Sequence, residues 1–415
     1  MTLPRLRHNI AALGLVQLGN YLVPLLTLPY LTRVLGAEGF GRVVFVQGVI
    51  AFLILLVDFG FSWSTTRHIA AHRSDRQEVS RVFFATWIVQ WVLVVLAAAL
   101  MWALSICVPA IEVDASLYVW GFGMVIGHAL FPLWLLQGLE QMRSVAVIQL
   151  GSRVLSLPLL FVFVKQPEDV VMAVGFYSVV ALLAGILSIF AIVRMRVVDW
   201  CQPTILDLVA VFREGAGLFF SRISISLYTS LIPIAIGSWA GHAQLAYFNL
   251  ADRLRMVVSS IIAPVLQALF PRMSLLYQSD PSSANRLAVK VAMGVCAVTL
   301  GAGALMWLLA GYIMQVFGGA GFQEAVPVLR WLAFVPCVVA LSNLLGVQVM
   351  LPQGMNKPFS TILTMASVLS LLLMHPLIHS WQALGAAQLI FIVEVVVTVS
   401  MALYLRFVRK TNVLG

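Results

Sequence analysis

The feature that most constrains this chain is a series of apolar stretches, each long enough to cross a lipid bilayer. A membrane-spanning helix needs about 20 mostly apolar residues. Of the 415 residues, 61% are hydrophobic and only 10% are charged, whereas an average soluble domain has about 25% charged residues. Since a helix satisfies its own backbone hydrogen bonds in hydrocarbon, the sequence predicts an all-α integral membrane protein.

The apolar stretches number twelve, and the chain between them is too short for a soluble catalytic domain. We predict twelve transmembrane helices, at residues 10–32, 41–61, 83–108, 117–138, 146–164, 170–193, 215–239, 245–270, 288–313, 325–349, 359–379 and 382–405.

The distribution of Lys and Arg predicts the orientation of these helices. Of the 25 basic residues, four lie at one set of helix ends (Arg33, Arg42, Lys165 and Arg330), four lie at bilayer depth, and the other seventeen lie at the opposite ends. Cytoplasmic loops carry the excess of Lys and Arg. We therefore expect a multi-pass protein with both termini in the cytoplasm, and the net charge of +9 needs no nucleic-acid partner to explain it.

The two halves resemble each other at an offset of 205 residues. The letters ALMW at 99–102 recur at 304–307, and Gly36 corresponds to Gly241. Six helices per half would give both halves the same orientation, as in parallel repeats. We predict an N-terminal six-helix lobe at 1–193, a cytoplasmic linker at 194–214 and a C-terminal six-helix lobe at 215–415.

Ionisable residues at bilayer depth are the strongest functional signal, because each is costly unless it faces a wet cavity or a partner. Arginine dominates the set, and a guanidinium binds phosphate oxygens through two parallel hydrogen bonds. We therefore predict an anion-binding cavity. Its ionisable candidates are Arg153, Arg222, Asp252, Arg253, Arg255 and Glu394.

Polar residues and prolines share helix faces near these charges. Gln17 and Asn20 are three residues apart on the first span, so they lie on one face and become candidate binding residues. Pro24 and Pro29 follow on the same span, and Pro233 lies on the seventh. Proline removes a helix hydrogen bond, which is tolerated at membrane depth beside a cavity. We expect these three prolines to bend cavity-lining helices in an alternating-access transporter.

Two of the acidic candidates have structural alternatives. Asp252 and Arg255 are three residues apart, so they could simply neutralise each other. Glu394 has only apolar residues and threonine within one helical turn of its own sequence, which makes it the better candidate for a proton carrier; a carboxyl that joins helices is the alternative.

Several other motifs are excluded as sites. His68 and His72 lie four residues apart but beside Arg67 and Arg73, whose charges disfavour a metal. The letters GAEGFG at 36–41 lack the Lys-Ser/Thr of a phosphate loop. We expect no metal, no cofactor, no catalytic residues and no enzymatic activity.

The residues from NYLVPLLTLPYLTRVLGAEGFGRVVFVQ at 20–47 to VDFGFSWSTTRHIAAHR at 57–73 closely resemble the N-terminus of bacterial O-antigen flippases. These Wzx-type proteins belong to the multidrug/oligosaccharidyl-lipid/polysaccharide exporter superfamily. The letters WLLQGLEQM at 134–142 and YFNLADRLRM at 247–256 are similar to further segments of the family. By motif position the resemblance assigns a cationic cavity role to Arg253, with Asp252 as the acid before it.

The resemblance implies a twelve-helix, V-shaped exporter of the bacterial inner membrane. Its expected cargo is an undecaprenyl-diphosphate-linked oligosaccharide, moved from the cytoplasmic to the periplasmic leaflet. Expected partners are membrane lipids and the polysaccharide polymerase and chain-length proteins of the same pathway. An ion-coupled multidrug antiporter of the superfamily is the alternative, although it should have an acid where the first span has Gln17 and Asn20. A polysaccharide enzyme would need a long outer loop or a soluble domain.

Overall fold

A computed structural model describes residues 3–107 and 114–411, all of whose regular elements are helices. It describes the helix without its side chains at residues 3–25, 107, 220–230, 261, 263–265, 267–268 and 408–411. Eight helical segments among the described residues are long and apolar enough to cross a membrane. The prediction of an all-α, multi-pass membrane protein is therefore confirmed, and the count of twelve helices stays a prediction.

The first part of the chain forms nine helices within the described ranges. They are α1 (Leu3–Asp58), α2 (Phe61–Ala71), α3 (Arg76–Cys107), α4 (Ala115–Gly121), α5 (Gly123–Leu130), α6 (Leu133–Gly138), α7 (Met142–Phe163), α8 (Val170–Met195) and α9 (Ile205–Trp239).

The remaining described residues form six α-helices and two short helices of other types. They are α10 (His242–Ser279), α11 (Pro281–Leu308), α12 (Ala310–Phe317), a 3-10 turn (Ala320–Phe322), α13 (Ala325–Leu332), α14 (Val335–Asn343), a π-helix (Leu344–Met350) and α15 (Asn356–Thr411).

Two of these helices contain a single non-helical residue, one between the predicted spans 10–32 and 41–61 and one at the first residue of the predicted span 382–405. In α1 it is Gly36, with φ 68° and ψ −176°, a backbone conformation that is essentially restricted to glycine. In α15 it is Gln382, with φ 52° and ψ −129°. By contrast, α1 continues through Pro29 and α9 continues through Pro233, so neither proline interrupts its helix, and their bending role stays a prediction.

The predicted span 117–138 is divided into three short helices, α4 to α6. The second division lies at Phe131, whose φ of −102° and ψ of 84° are not helical. Pro132 follows, and the residue before a proline is disfavoured in the helical region.

The chain forms two compact units, Met1–Ile234 and Ala235–Gly415. Helix α9 begins at Ile205, inside the predicted linker, and its N-terminal part packs closely on the first unit. A Cβ atom built on Gly215 would lie 2.8 Å from the carbonyl oxygen of Phe59, so this backbone approach requires glycine. The predicted lobe boundaries remain a prediction.

Small residues bring α5 and α8 together in the first unit. A Cβ atom on Gly127 would lie 2.6 Å from the carbonyl oxygen of Ala181. Nearby, the Ser188 hydroxyl donates a hydrogen bond of 3.0 Å to the carbonyl of Leu130. Close backbone approach at glycine, together with a serine bond between helices, is typical of packing in membranes.

The second unit has an apolar core shared by α10, α11, α14 and the π-helix. Its buried members are Ile262, Leu266, Val295, Ala340 and Leu344. Helix α10 also packs against α13, and α15 packs against both α13 and α14. These contacts fix α10 and α15, which carry the charged residues described next, and α14, which carries a hydroxyl partner.

Candidate transport site

Helix α10 carries four polar side chains that pair along one stretch of the helix. The Nε atom of Arg253 donates to Oδ1 of Asn249 at 2.8 Å, and the Nε atom of Arg255 donates to Oδ1 of Asp252 at 2.7 Å. These partners lie four and three residues apart, which is the spacing that places side chains side by side on a helix. The predicted pairing of Asp252 with Arg255 is therefore present.

The pair between Asp252 and Arg255 is largely shielded. Only 16% of the aspartate side chain and 13% of the arginine side chain are exposed. Burial makes a charge pair costly to break, because removing one partner leaves the other charge uncompensated. The pair therefore holds the Arg255 guanidinium in a defined position.

Glu394 on α15 joins this group of charges. Arg255 interacts electrostatically with the Glu394 carboxylate, and the Ser342 hydroxyl of α14 donates to Oε2 of Glu394 at 3.4 Å. One turn further, the Thr398 hydroxyl donates to the Val338 carbonyl at 3.2 Å and ties α15 to α14. Arg255 thus pairs with a carboxylate of its own helix and interacts electrostatically with a carboxylate of another helix.

The charge balance of this cluster, formed by Asp252, Arg253, Arg255 and Glu394, depends on one proton. With both carboxylates ionised, two negative charges offset two guanidinium charges. If Glu394 takes up a proton, the cluster gains a net positive charge. Such a change would strengthen its attraction for an anion, because Coulomb interactions are strong where water is sparse.

The other predicted site residues belong to the first unit, Met1–Ile234. Arg153 is half-buried on α7 of the first unit, and Pro233 lies 3.9 Å from the position that a Cβ atom on Gly48 would take. The side chains of Gln17, Asn20, Pro24 and Arg222 lie outside the described residues. Their roles stay predictions.

A second polar group lies at one end of the first unit. The ring Nε2 atom of His68 is 3.0 Å from Oε1 of Glu78, and Arg81 contacts both Glu78, at 2.6 Å, and Asp207, at 3.7 Å. The backbone N–H of Thr204 holds the pKa of Asp207 below its usual range, helped by the Thr204 hydroxyl and by Arg81. These contacts join α2, α3 and α9, so the group ties three helices together.

The first unit also contains an apolar cavity of about 420 Å³. Aliphatic and phenylalanine side chains from α1, α3 and α9 line it, and a groove of this composition suits a hydrocarbon chain. The lining residues are Val49, Phe52, Leu53, Leu55, Leu56, Leu100, Leu104, Phe219, Leu231 and Ile234.

Comparison with the sequences of other proteins shows the family of this chain. Residues 6–276 match the family described as polysaccharide biosynthesis protein. The chain belongs to that polysaccharide biosynthesis family. Curated members are similar over almost the whole chain. A protein of Escherichia coli (strain K12) named "Putative O-antigen transporter" is 34% identical over 99% of this chain and 98% of its own length. A Shigella dysenteriae protein of the same name is 30% identical over 95% and 99%.

Solved structures show the fold of this polysaccharide biosynthesis family member. An inward-facing multidrug resistance MATE family transporter of the MOP superfamily aligns with a TM-score of 0.73 at 14% identity, covering 97% of this chain and 99% of that one. The lipid II flippase MurJ, in an inward closed conformation, aligns with a TM-score of 0.75 at 12% identity, covering 94% and 87%. The chain therefore has the fold of the MOP superfamily transporters.

Two residues of the site region escaped the sequence analysis. Ser342 belongs to no motif, and its position beside Asn343 in an apolar segment is the only signal that could have identified it. Gln348 is 1% exposed within the π-helix, where its Nε2 atom donates to the Leu266 carbonyl at 2.8 Å. Short π-helices often occur at functional sites, but no motif in this sequence predicted the π-helix.

Proposed function

We propose that this protein is a flippase that moves undecaprenyl-diphosphate-linked oligosaccharide units across the bacterial inner membrane, from the cytoplasmic to the periplasmic leaflet. The observation that carries the proposal is the similarity to two proteins named for O-antigen transport over almost the full chain. A multidrug antiporter is not favoured, since neither of these relatives has that name. The protein would act by alternating access and not as an enzyme.

The charged cluster of the second unit supports an anionic cargo. A diphosphate presents several oxygen acceptors, and a guanidinium can bind two of them at once. In our proposal Arg253 and Arg255 bind the diphosphate or an anionic sugar, while Asp252 holds Arg255 in place. Arg153 and Arg222 of the first unit, with Gln17 and Asn20, are proposed as further cargo contacts.

The apolar cavity of the first unit suits the other end of the cargo. A polyprenyl tail is a hydrocarbon chain, and it gains free energy from contact with apolar side chains instead of water. We propose that part of the tail lies in this cavity during translocation. The Phe219 and Leu231 side chains would then contact it.

The test of cargo charge is complementation of a bacterial strain that lacks its own flippase. Arg255→Ala and Arg253→Ala should lower surface polysaccharide by about tenfold or more while the protein still inserts, since a charge-assisted hydrogen bond is worth about 1.5–3 kcal/mol. Lys should rescue in part, because it keeps the charge but loses the planar fork. The matched control is Arg286→Ala, an exposed arginine that donates to Ser283. Normal polymer in all the α10 variants would contradict the proposal.

Glu394 is the proposed ion-coupling residue. Its protonation would leave Arg255 with Asp252 as its carboxylate partner and would favour anion binding, so a proton gradient could drive the cycle. In proteoliposomes, Glu394→Gln should abolish the dependence of transport on an imposed pH gradient while cargo still binds. Asp252→Asn is the comparison, because it removes the other carboxylate. Loss of pH dependence in Asp252→Asn alone would assign the coupling to Asp252.

The proposed topology places both termini in the cytoplasm and can be tested by cysteine labelling. Single cysteines at Glu168 and Gln323 should react with a membrane-impermeant reagent from the periplasm. Single cysteines at Ser74 and Asp280 should react only after the membrane is opened. Periplasmic labelling at Ser74 would reverse the orientation.

A further inference from the structure

A cationic and aromatic groove lies on the second unit. Its cation is Arg330 on α13, whose guanidinium carbon lies 5.0 Å from the ring centroid of Trp307 on α11. This distance is within the range of a cation–π interaction. Trp331 packs edge-on against Phe391 of α15, with ring centroids 5.7 Å apart. Together with Pro327 and Phe334, these side chains enclose about 350 Å³.

Both ends of the cation–π contact lie near the ends of apolar spans. Trp307 is the penultimate residue of the span Pro281–Leu308, and Arg330 lies near the start of the span Ala325–Met350. Tryptophan and arginine at such ends are typical of the membrane–water interface. Phe334 is about one helical turn, roughly 6 Å, further into its span than Arg330. The groove therefore runs from the interface towards the hydrocarbon.

Arg330 keeps its charge exposed on this surface. Among the residues that the structure describes, no carboxylate forms an ion pair with it, and the Trp307 ring is its charge-stabilising contact. A guanidinium at the membrane surface attracts anionic headgroups. It can hold two phosphate oxygens in one plane.

We infer that this groove binds an anionic membrane phospholipid. The headgroup phosphate would be held by Arg330 beside Trp307, and an acyl chain would lie along Trp331, Phe334 and Phe391. Along the span Ala325–Met350, Arg330 lies nearer the interface and Phe334 lies deeper, which matches a lipid whose charge is at the interface and whose acyl chain is in the hydrocarbon. This inference does not rest on the proposed cargo, because it concerns a resident lipid and is tested by lipid binding instead of transport.

The first unit supplies a matched comparison for the tryptophan. Trp102 ends the same ALMW letters as Trp307, yet it is 70% exposed, whereas Trp307 is 41% exposed. Trp102 forms no cation–π contact with any arginine whose side chain the structure describes. If the tryptophan alone recruited lipid, both positions would act alike; the inference predicts that they differ.

The test is native mass spectrometry of the full-length protein purified in detergent and titrated with phosphatidylglycerol. Arg330→Gln should weaken the tightest phosphatidylglycerol adduct by about tenfold, which corresponds to one charge-assisted hydrogen bond. Trp307→Phe should weaken it less, and Arg330→Lys should give an intermediate value. Trp102→Phe and Arg286→Gln are the controls and should leave the adduct unchanged.

The outcomes separate this inference from its alternatives. Equal weakening in Trp102→Phe, or an unchanged adduct in both Arg330 variants, would overturn it. An equally tight adduct with a neutral glycolipid would also overturn it, because binding would then need no phosphate. Since Arg330 is exposed, its substitution should not disturb folding, and an unchanged thermal midpoint in Arg330→Lys verifies this. Surface polysaccharide measured on the same variants reports on transport separately.

Discussion

Gly36 in the first unit and Gly241 in the second are 205 residues apart and adopt nearly the same backbone conformation. Gly36 has φ 68° and ψ −176°, and Gly241 has φ 94° and ψ 167°. Each lies just before a long apolar helix segment. At the same offset, Asp75 precedes α3 and Asp280 precedes α11, and each accepts hydrogen bonds from two backbone N–H groups of the helix that follows.

The charges do not repeat in the same way. The residue that corresponds to Asp252 is Gln47, and no carboxylate stands at that position in the first unit. Turns and helix starts are therefore alike at these positions, while the Asp252–Arg255 pair has no counterpart at position 47. Backbone features are set by the path of the chain through the membrane, whereas a charge at depth is retained only where it has a use. We infer that the Asp252–Arg255 pair gives the second unit a part in the transport chemistry that Gln47 does not give the first unit.

Breaking the charged pair should have the largest effect on this difference. Arg255→Ala leaves Asp252 shielded without its partner, which should cost on the order of 3 kcal/mol of stability and abolish transport. Gln47→Ala, at the equivalent position, removes a neutral group and should cost only about 1 kcal/mol. Thermal unfolding in detergent and surface polysaccharide measure the two effects.

A double variant separates stability from transport in this experiment. Asp252→Asn with Arg255→Gln removes both charges of the pair, so Asp252 is not left as an uncompensated charge. The stability lost in Arg255→Ala should therefore return in part, because Glu394 still loses its interaction with Arg255. Transport should remain lost, because the anion-binding guanidinium is gone. Normal polymer in the double variant would contradict the assignment of the chemistry to the second unit.

These examples show how far the sequence could predict the molecule. The all-helical, membrane-spanning character followed from the length of the apolar stretches, and the Asp252–Arg255 pair followed from its spacing of three, because both are local properties of the sequence. Arg255 on α10 interacts electrostatically with Glu394 on α15. The two residues are far apart in the sequence, so the sequence neighbours of each did not reveal the interaction. For Glu394 the sequence showed only apolar neighbours, and it therefore missed the arginine that contacts it electrostatically.

The position of the helix interruption gives a second example. The sequence analysis predicted bends at Pro24 and Pro29, yet the non-helical residue of α1 is Gly36. A helix at membrane depth can continue through a proline, whereas a backbone with positive φ and extended ψ requires glycine. The repeat at offset 205 had marked Gly36 and Gly241, but their conformation could only be seen in the structure.

The glycine pair gives the next prediction. Gly36→Ala and Gly241→Ala should each destabilise the protein by about 1–3 kcal/mol, since alanine rarely adopts this conformation. No atom lies within 4 Å of the Cβ position at either glycine, so the cost would come from the backbone alone. Thermal unfolding in detergent measures it, and a large difference between the two variants would contradict the equivalence of the two turns.

The controls for the glycine pair are helical glycines with equally open surroundings. Gly151 on α7 and Gly301 on α11 also have no atom within 4 Å of the Cβ position. Alanine there should stabilise by about 0.5–1 kcal/mol, because glycine in a helix interior is entropically unfavourable. Destabilisation in these controls would show that the effect at Gly36 and Gly241 is not conformational.

The smallest expected effect concerns the two capping aspartates. Asp75→Ala and Asp280→Ala should each lower the thermal midpoint by about 1–3 °C, because each removes a cap from the helix that follows.

For Asp280, hydrogen bonds from Ser282 and Ser283 hold the pKa of the carboxyl well below its usual range. A depressed folded-state pKa means that the stabilisation is complete above the ordinary aspartate pKa of about 4 and is lost as the pH falls through the lower, folded-state value. The difference between wild type and Asp280→Ala should thus be full at pH 7 and shrink only in strong acid. Ser282→Ala should bring that loss to higher pH, because the Ser282 hydroxyl bond is the largest contribution to the depressed pKa. A difference that already disappears near pH 6 would contradict the assignment of the cap to the ionised Asp280 carboxylate.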